Sequence, residues 1–302
     1  MSQTALVTGA AGFIGAHVVR QLLGNGLAVT GIGHAGALAR ADDAYTWHEA
    51  FVDAASLRAT GCVPDLVIHC AGGASVGRSL DDPASEHRRT VGSAAAVLEF
   101  AAEVAPAARL VLISSAAVYG RVETQPIRED EALAPVSPYG QHKQQAEALW
   151  RSHAARTGAR CAIVRLFSVY GAGLRKQLLW DACRKLSSGD AVFGGTGDEE
   201  RDWLHVDDAA RLLVLAASHA ARDCPVVNGG SGESTAVREI LAELARALAS
   251  NLDPRFNGIS RPGDPRRYCA DTSRAHRWGW RPHIDWRDGV GRYARWFMLE
   301  GA

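Results

Sequence analysis

A tyrosine and a lysine four residues apart could carry proton transfer in this 302-residue chain. They are Tyr139 and Lys143, in the segment SPYGQHKQQAEALW of residues 137–150. Ser137 and Pro138 suit the N-cap and the first turn of a helix, so the segment predicts a helix start. Residues four apart share one helix face, which would place the phenol beside the ammonium. The alternative is an ordinary helix start without a chemical role.

The rarity of lysine favours the chemical role. The chain has 33 lysines and arginines, of which only Lys143, Lys176 and Lys185 are lysines. An ammonium has a pKa that its surroundings can tune, whereas a guanidinium stays charged. A phenol with a pKa of about 10 needs a nearby cation to act as a base at neutral pH. Lys143 is therefore a candidate for that cation.

The composition excludes several classes of function. The chain is 47% hydrophobic and 22% charged, with a formal net charge of 0. A balanced charge argues against nucleic acid or an anionic membrane as the main partner, and no apolar run reaches the length of a membrane span. The six cysteines are scattered and the histidines lack metal-ligand spacing. We therefore expect a cytoplasmic protein with reduced thiols and no metal site.

Short apolar runs alternate with amphipathic segments along the first half of the chain. Runs that are apolar on both faces and separated by helices indicate an α/β fold with a doubly wound parallel sheet. After Phe167 the alternation loosens, which predicts a smaller α/β lobe. The predicted strands are Thr4–Thr8, Leu27–Ile32, Leu66–His69, Leu110–Ser114 and Ala162–Phe167.

A glycine-rich turn follows the first predicted strand. In VTGAAGFIG, Gly9, Gly12 and Gly15 stand three residues apart, just before an apolar-striped helix. Without Cβ atoms the backbone can approach a pyrophosphate, whose charge the free N–H groups and the helix dipole stabilise. The turn predicts a dinucleotide site, to which Phe13 and Ile14 at the helix start also belong.

The end of the second strand leaves the choice between NAD and NADP open. An acidic residue that binds the adenosine ribose commonly lies about 20 residues beyond such a turn, but here the chain reads Gly33 and His34. We place His34 at the cofactor. Arg40 could bind a 2′-phosphate or be a solvated loop residue. Asp53 could accept the adenine amino group or cap a helix. NAD is expected, with NADP possible.

These motifs together resemble the extended short-chain dehydrogenase/reductase family, specifically its NAD-dependent nucleotide-sugar epimerase/dehydratase branch. The resemblance covers nearly the whole chain. It implies a Rossmann domain over residues 1–167 and mainly a substrate lobe over 168–302, with some later segments returning to the first domain. The matching segments are TGAAGFIG (8–15), HCAGGASVG (69–77), SSAAVYG (114–120), the Tyr139–Lys143 pair, RLFSVYGAG (165–173), RDWLHVDD (201–208), VNGGSGE (227–233) and RPGD (261–264).

The resemblance assigns catalytic roles to three residues. Tyr139 would be the acid/base, and Lys143 would bind the nicotinamide ribose and lower the pKa of the tyrosine. Ser115 would hydrogen-bond the reacting oxygen. Ser114 is the alternative, because one residue of strand register decides which serine faces the cleft.

It also implies further binding residues and an assembly. Ala71 and Gly72 would lie at the cofactor. Arg201 and Arg261 would hold the diphosphate of a nucleotide-diphosphate sugar through bidentate contacts, with surface ion pairs as the alternative and Arg266 as a weaker candidate. A homodimer would pair the helix around Ser93–Ala105 with the helix that starts at Ser137.

The chain departs from the family pattern at three places, the first of which spans two residues. Arg89 and Thr90 stand where many relatives carry an asparagine. Ser168 replaces the common asparagine of the NVYG segment, which changes a contact to the substrate. Ala74 replaces a lysine that contacts the cofactor in some epimerases, so no such role is assigned to it.

The residues after Ser115 bear on the reaction. In the 4,6-dehydratases of this branch, acidic residues next to the serine or threonine drive loss of water, but Ala116 and Ala117 stand here. Alanine cannot do acid/base chemistry. The leading hypothesis is a nucleotide-sugar 4-epimerase that works by transient hydride transfer to bound NAD and a 4-keto intermediate. The alternatives are an NAD(P)H-dependent reductase of a nucleotide-linked 4-keto sugar and, more remotely, a non-catalytic dinucleotide sensor.

Overall fold

The secondary structure alternates strands and helices over most of the chain. The structure is a computed structural model that describes residues 3–34, 43–73, 76–259 and 266–301. Arg40 and Arg261 lie outside the described residues. The strands are β1 (Thr4–Thr8), β2 (Ala28–Gly33), β3 (Tyr45–Glu49), β4 (Leu66–His69), β5 (Arg109–Ser115), β6 (Arg160–Leu166), β7 (Ser168–Tyr170), β8 (Val192–Phe193), β9 (Glu200–His205), β10 (Val226–Gly229), β11 (Ser234–Ala236), β12 (Arg255–Phe256) and β13 (Arg267–Tyr268).

The helices lie between these strands and after them. They are α1 (Phe13–Gly24), α2 (Ala54–Ala59), α3 (Val76–Asp81), α4 (Pro83–His87), α5 (Ser93–Val104), α6 (Pro138–Thr157), α7 (Gln177–Ser187), α8 (Val206–Ser218), α9 (Val237–Ala247), α10 (Ser273–Arg277) and α11 (Trp286–Trp296). Short π-helical turns cover Arg88–Gly92 and Phe297–Gly301, and a 3₁₀ turn covers Ala116–Val118.

A seven-stranded parallel sheet is the centre of the fold. Its strand order is β10-β6-β5-β4-β1-β2-β3, and every neighbouring pair is parallel. Helices α1 and α8 cover one face, and α2, α5 and α6 cover the other, each with its own apolar core. The prediction of a doubly wound parallel sheet is confirmed. The strand order reverses between β1 and β4, which is where such sheets bind ligands.

Two strands of this sheet are absent from the sequence prediction. Strand β3 reads YTWHE and lies at the sheet edge with part of its surface exposed, so it lacks the apolar run of a buried strand. Strand β10 reads VVNG and pairs with β6, although it lies well beyond residue 167. The chain therefore leaves the unit built on the central sheet after β6 and returns to this unit through α8 and β10.

A smaller unit carries the remaining strands. Strands β7, β9, β11 and β13 form a four-stranded sheet, and β8 pairs with β12. An apolar core that includes side chains of α7, α9 and α11 packs beneath them. The predicted smaller α/β lobe corresponds to this unit. Its strand β7 starts two residues after β6 ends, so the two units meet at Phe167.

Helix α6 is fixed to the central sheet by a buried ion pair. Arg165 of β6 donates from Nε and Nη2 to the two carboxylate oxygens of Glu147, at 2.9 and 2.7 Å. Ser114 of β5 donates to the same carboxylate at 2.6 Å. Arg165 is only 1% exposed. Because Glu147 lies on α6, this contact sets where the first turns of the helix stand on the sheet.

Breaking this pair from one side should destabilise the protein strongly. We expect Arg165→Met to cost about 3–5 kcal/mol, because it leaves a buried carboxylate without its cation. Urea unfolding followed by circular dichroism measures the change. The control is Arg128→Met, since Arg128 pairs with Asp130 at the surface and its loss should leave the midpoint unchanged. Equal midpoints for both variants would contradict the assignment.

Candidate active site

A deep cleft opens at the carboxyl ends of the central strands and extends to the smaller lobe. Its volume is about 2210 Å³, more than twice that of a typical pocket for one small ligand. The glycine turn, the residues after β4 and β5, the start of α6 and the segments Phe167–Tyr170 and Gln177–Leu179 line it. The cleft can therefore hold two ligands side by side.

The glycine turn forms a cradle that excludes side chains. A Cβ on Gly15 would stand 2.1 Å from the carbonyl oxygen of Gly9, and one on Gly12 would stand 3.1 Å from it. Gly9 itself has φ +66° and approaches the backbone of Ala71. Gly12 caps α1 without any side-chain hydrogen bond, so the first N–H groups of the helix, including that of Phe13, remain available to an anion.

Beyond this cradle lie two further residues that the sequence analysis places at the cofactor, His34 and Asp53. His34 lines the cleft, with its ring 5.2 Å from that of Phe51. Asp53 is the N-cap of α2: its carboxylate accepts from Ser56 N at 2.8 Å, and this backbone hydrogen bond lowers the pKa of Asp53. The residues that line the cleft here are Ala50, Phe51 and Val52 rather than Asp53. Asp53 therefore caps a helix, and its contact with the adenine amino group stays a prediction.

The start of α6 places the predicted pair in the cleft wall. Ser137 caps the helix by accepting from Gly140 N at 3.2 Å, and Pro138 occupies the first turn. Tyr139 and Lys143 both line the cleft, with the Lys143 Nζ 5.9 Å from the centre of the tyrosine ring. The helix start predicted from the sequence is confirmed, and it brings both side chains to one side.

Lys143 is a buried cation. It is 4% exposed, and its Nζ donates to the carbonyl oxygen of Ile113 at 3.0 Å. Burial lowers the pKa of Lys143 to about 8, while Glu86 acts in the opposite direction. At neutral pH the amine is still mostly protonated. Its field also reaches His69, whose pKa falls to about 3 through burial and this neighbouring charge.

The surroundings of Tyr139 act on the pKa of its hydroxyl in opposite directions. Burial raises the pKa of Tyr139, a hydrogen bond with Ser115 lowers it, and the charge of Glu86 raises it. The backbone N–H of Tyr139 donates to Ser79 Oγ at 3.1 Å, which fixes the residue against α3. The protein alone therefore keeps this phenol protonated at neutral pH.

Strand register separates the two candidate serines. Ser114 is 1% exposed and gives its hydroxyl to Glu147. Ser115 ends β5, caps the following turn by accepting from Ala117 N at 3.2 Å, and hydrogen-bonds Tyr139. Of the two serines, Ser115 is thus the one whose hydroxyl is not engaged by Glu147.

The other predicted contacts lie around the rest of the cleft. Phe13, Ile14, Ala71 and Gly72 line the side of the glycine cradle. Ser168 at the start of β7 and Arg201 in β9 line the side of the smaller lobe, where Arg201 Nη1 donates to the carbonyl oxygen of Glu200 at 2.8 Å. The carbonyl oxygen of Arg266 accepts a hydrogen bond from Glu200 N at 2.8 Å, and Arg266 is not among the residues that line the cleft.

A polar cluster beside the pair is absent from the sequence predictions. Glu86 of α4 is 1% exposed; it accepts from Thr90 Oγ1 at 2.6 Å and contacts His142 Nδ1. Thr90 in turn accepts from Gly73 N at 2.8 Å. The four-residue spacing could have indicated a contact between Glu86 and Thr90. The polar sequence around Glu86 does not reveal that its carboxylate is buried.

The chain matches known proteins over nearly its whole length. A sequence model described as the NAD dependent epimerase/dehydratase family matches residues 5–229. This chain belongs to that family. A UDP-glucose 4-epimerase of Azospirillum brasilense is 32% identical over 328 residues, covering 97% of this chain and 91% of the relative.

Solved structures of the epimerase/dehydratase family share the fold. The UDP-glucose 4-epimerase of Thermotoga maritima with UDP-glucose superimposes with a TM-score of 0.91 at 26% identity, covering 99% of this chain and 100% of that chain. A dTDP-glucose 4,6-dehydratase of Streptomyces venezuelae with NAD bound gives 0.90 at 27% identity, covering 99% and 98%. Epimerases and dehydratases are thus similarly close relatives.

The glycine cradle fits the family's cofactor. NAD is the cofactor of this enzyme family, and its pyrophosphate needs the backbone approach that Gly9, Gly12 and Gly15 provide. Lys143 and Tyr139 line the same cleft. In the part of the chain that the structure describes, no helix is long and apolar enough to cross a bilayer.

Filling the cradle should weaken cofactor binding. We expect Gly15→Ala to weaken NAD binding by more than about tenfold, or ~1.4 kcal/mol, because its Cβ would meet the Gly9 carbonyl oxygen. Titration calorimetry measures the affinity. Gly24→Ala is the matched control: Gly24 ends the same helix, with nothing within 4 Å of its added Cβ. Similar affinities for the two variants would contradict the cradle.

Proposed function

We propose that this enzyme is a nucleotide-sugar 4-epimerase. The observation that carries the proposal is the group formed by Ser115, Tyr139 and Lys143 in one cleft wall, next to Ala116 and Ala117 rather than to carboxylates. The group can move a proton to and from a sugar hydroxyl. The alanines leave no acid beside it to expel water from the sugar.

Proton transfer at the 4-hydroxyl is the task of Tyr139. Its phenolate would take the hydroxyl proton as the C4 carbon is oxidised, and Ser115 would donate to the same sugar oxygen. Bound NAD would supply the acceptor, and later the donor, of the hydride at C4. The 4-keto sugar would then rotate in the cleft. When Tyr139 returns the proton, the opposite epimer forms. Lys143 would stabilise the phenolate and contact the nicotinamide ribose.

Carboxylates elsewhere in the cleft do not replace the missing acid. Among the described residues that line it, the carboxylates are Asp181 of α7 and Glu199. Both belong to the smaller lobe, and Glu199 accepts from the backbone N–H groups of Thr196 and Gly197 at 3.0 and 2.9 Å. Glu86 is engaged by Thr90 and His142. This placement supports epimerisation over dehydration.

The smaller lobe would hold the nucleotide diphosphate. Arg201 lines the cleft and presents a guanidinium suited to bidentate phosphate contact. We extend the same role to Arg261, as the sequence predicts. Ser168 would contact the sugar in place of the asparagine common in the family. The likeness to a 4-epimerase solved with UDP-glucose supports a nucleotide sugar as the substrate.

A second candidate function is reduction of a nucleotide-linked 4-keto sugar with an exchangeable NAD(P)H. The observation that favours it is the end of β2, where Gly33 and His34 stand without a carboxylate. A Cβ at Gly33 would stand 3.0 Å from the Trp47 ring. Without an acid at this place, repulsion of a 2′-phosphate is weaker.

One experiment separates the two functions. The purified protein is denatured and any released nucleotide identified; then UDP-glucose and UDP-galactose are offered separately to native protein without added cofactor. We expect tightly bound NAD and interconversion of the two sugars, or of another 4-epimer pair. Protein that carries no nucleotide and turns over only 4-keto sugars with NADPH would establish the reductase instead.

The acid/base role of Tyr139 has its own test. We expect Tyr139→Phe to lower turnover by about 10²–10⁴-fold with NAD still bound, since only the proton-transfer group is lost. Steady-state rates and bound-nucleotide content are measured together. Tyr45→Phe is the control, because the buried Tyr45 hydroxyl lies outside the cleft lining and has no hydrogen-bond partner among the described residues. Unchanged turnover in Tyr139→Phe would refute the acid/base role of Tyr139.

A further inference from the structure

The Lys143 ammonium lies in the protein wall and needs a compensating negative charge. Its Nζ donates to a carbonyl oxygen, which is neutral, and burial of an unpaired cation is strongly unfavourable. The groups that stabilise its charge are Glu86, Cys70 and Glu147, in that order of effect. They come from α4, from the residue after β4 and from α6 itself.

Two of these three groups have little negative charge available to balance the Lys143 ammonium. Burial raises the pKa of the Cys70 thiol to about 12, so it is neutral at physiological pH. The charge of Glu147 is engaged by the guanidinium of Arg165 and by the Ser114 hydroxyl. Glu86, which Thr90 and His142 also contact, is the carboxylate with the largest stabilising effect on the Lys143 charge.

Glu86 is held in place from both sides. Thr90 donates to its Oε1 at 2.6 Å, and His142, the residue before Lys143 on α6, contacts its Oε2. The exposed His87 lies edge-on to the His142 ring at 5.1 Å. A Cβ on Gly73 would collide with the Glu86 carboxylate. The side chain therefore packs between α6 and the loop of residues 71–73.

The same contacts reach the loop at the cofactor side. Thr90 Oγ1 accepts from Gly73 N at 2.8 Å and donates onward to Glu86. Lys143 Nζ and Thr90 Oγ1 each lie 3.4 Å from the point where a Cβ on Gly72 would stand. One hydrogen-bonded chain thus runs from the loop through Thr90 to Glu86, alongside the amine of Lys143.

We propose that Glu86 is the positioning residue of the acid/base pair: it supplies the negative charge that balances Lys143, and through Thr90 it fixes the loop of residues 71–73 against the cofactor. The proposal rests on the proposed function for the meaning of the pair, but the charge balance itself does not depend on the reaction. Removal of the charge should make Lys143 lose its proton at lower pH.

The three lysines of the chain make this directly measurable. Protein labelled with ¹⁵N-lysine gives side-chain signals from Lys143, Lys176 and Lys185 only, and Lys143→Arg identifies the first. We expect the wild-type Lys143 signal to titrate with a pKa of about 8. In Glu86→Gln the titration midpoint of Lys143 should fall by about one pH unit. In Glu86→Asp it should fall by less, because the carboxylate charge remains on a side chain that is one methylene shorter.

The controls separate charge from packing. Glu239→Gln removes an exposed carboxylate on α9 and should leave the Lys143 midpoint unchanged. Thr90→Val keeps the Glu86 charge but cuts the link to the loop, so NAD affinity should fall several-fold with the midpoint nearly unmoved. If Glu86→Gln does not fold, Glu86→Asp carries the titration, with a smaller shift in the same direction.

Activity gives a second readout where an epimerase or reductase assay is available. The alkaline limb of kcat should move to lower pH in Glu86→Gln together with the Lys143 midpoint. Glu86 variants that lower the melting temperature but leave the Lys143 midpoint at the wild-type pH would overturn the proposal. A failed epimerase assay with a shifted midpoint would reject the proposed function and keep the charge balance.

Discussion

A buried cation within reach of a phenol is the constraint on which this active site depends. Lys143 must stay protonated while almost fully enclosed, and enclosure alone favours the neutral amine. The fold meets this need by placing α6 with its first turns over the carboxyl end of β5, so that a backbone carbonyl faces the amine, while the charge of Glu86 on α4 favours the protonated form. The Arg165–Glu147 pair fixes α6 in that position. Stability of the core and protonation of the site are thus set by the same helix.

Glycine provides the second constraint, at the other end of the cleft. The turn after β1 is so tight that a methyl group at Gly15 would stand inside contact distance of the Gly9 carbonyl oxygen. This closeness brings the start of α1 to the switch point of the sheet, where the strand order reverses between the paired strands β1 and β4. The glycine turn follows β1 and Lys143 contacts the carbonyl oxygen of Ile113 in β5, so strands of one parallel sheet position both parts of the cleft.

Local patterns predicted the parts of the structure that have local causes. The helix start at Ser137 and Pro138, the glycine turn and strands β1 and β4 follow from residues next to each other in the chain, and all four are confirmed. Edge strand β3 was missed because its surface is partly exposed and its residues are not consistently apolar. Strand β10 was missed because its place in the sheet depends on a pairing with β6 some sixty residues earlier. The choice of Ser115 over Ser114 likewise required the register that Glu147 reveals.

Part of the site could not be predicted from the sequence because it depends on buried charges. Arg89 and Thr90 occupy the place where relatives carry an asparagine, and read alone this looks like the loss of a contact. In the fold, Thr90 both accepts from Gly73 and donates to Glu86, so a hydroxyl and a carboxylate together occupy the space between the loop and α6. A neutral amide could bridge the same groups but would bring no charge to Lys143. In this chain the bridge from the loop therefore runs through a hydroxyl to a carboxylate, and neither Thr90 nor Glu86 is among the residues that line the cleft.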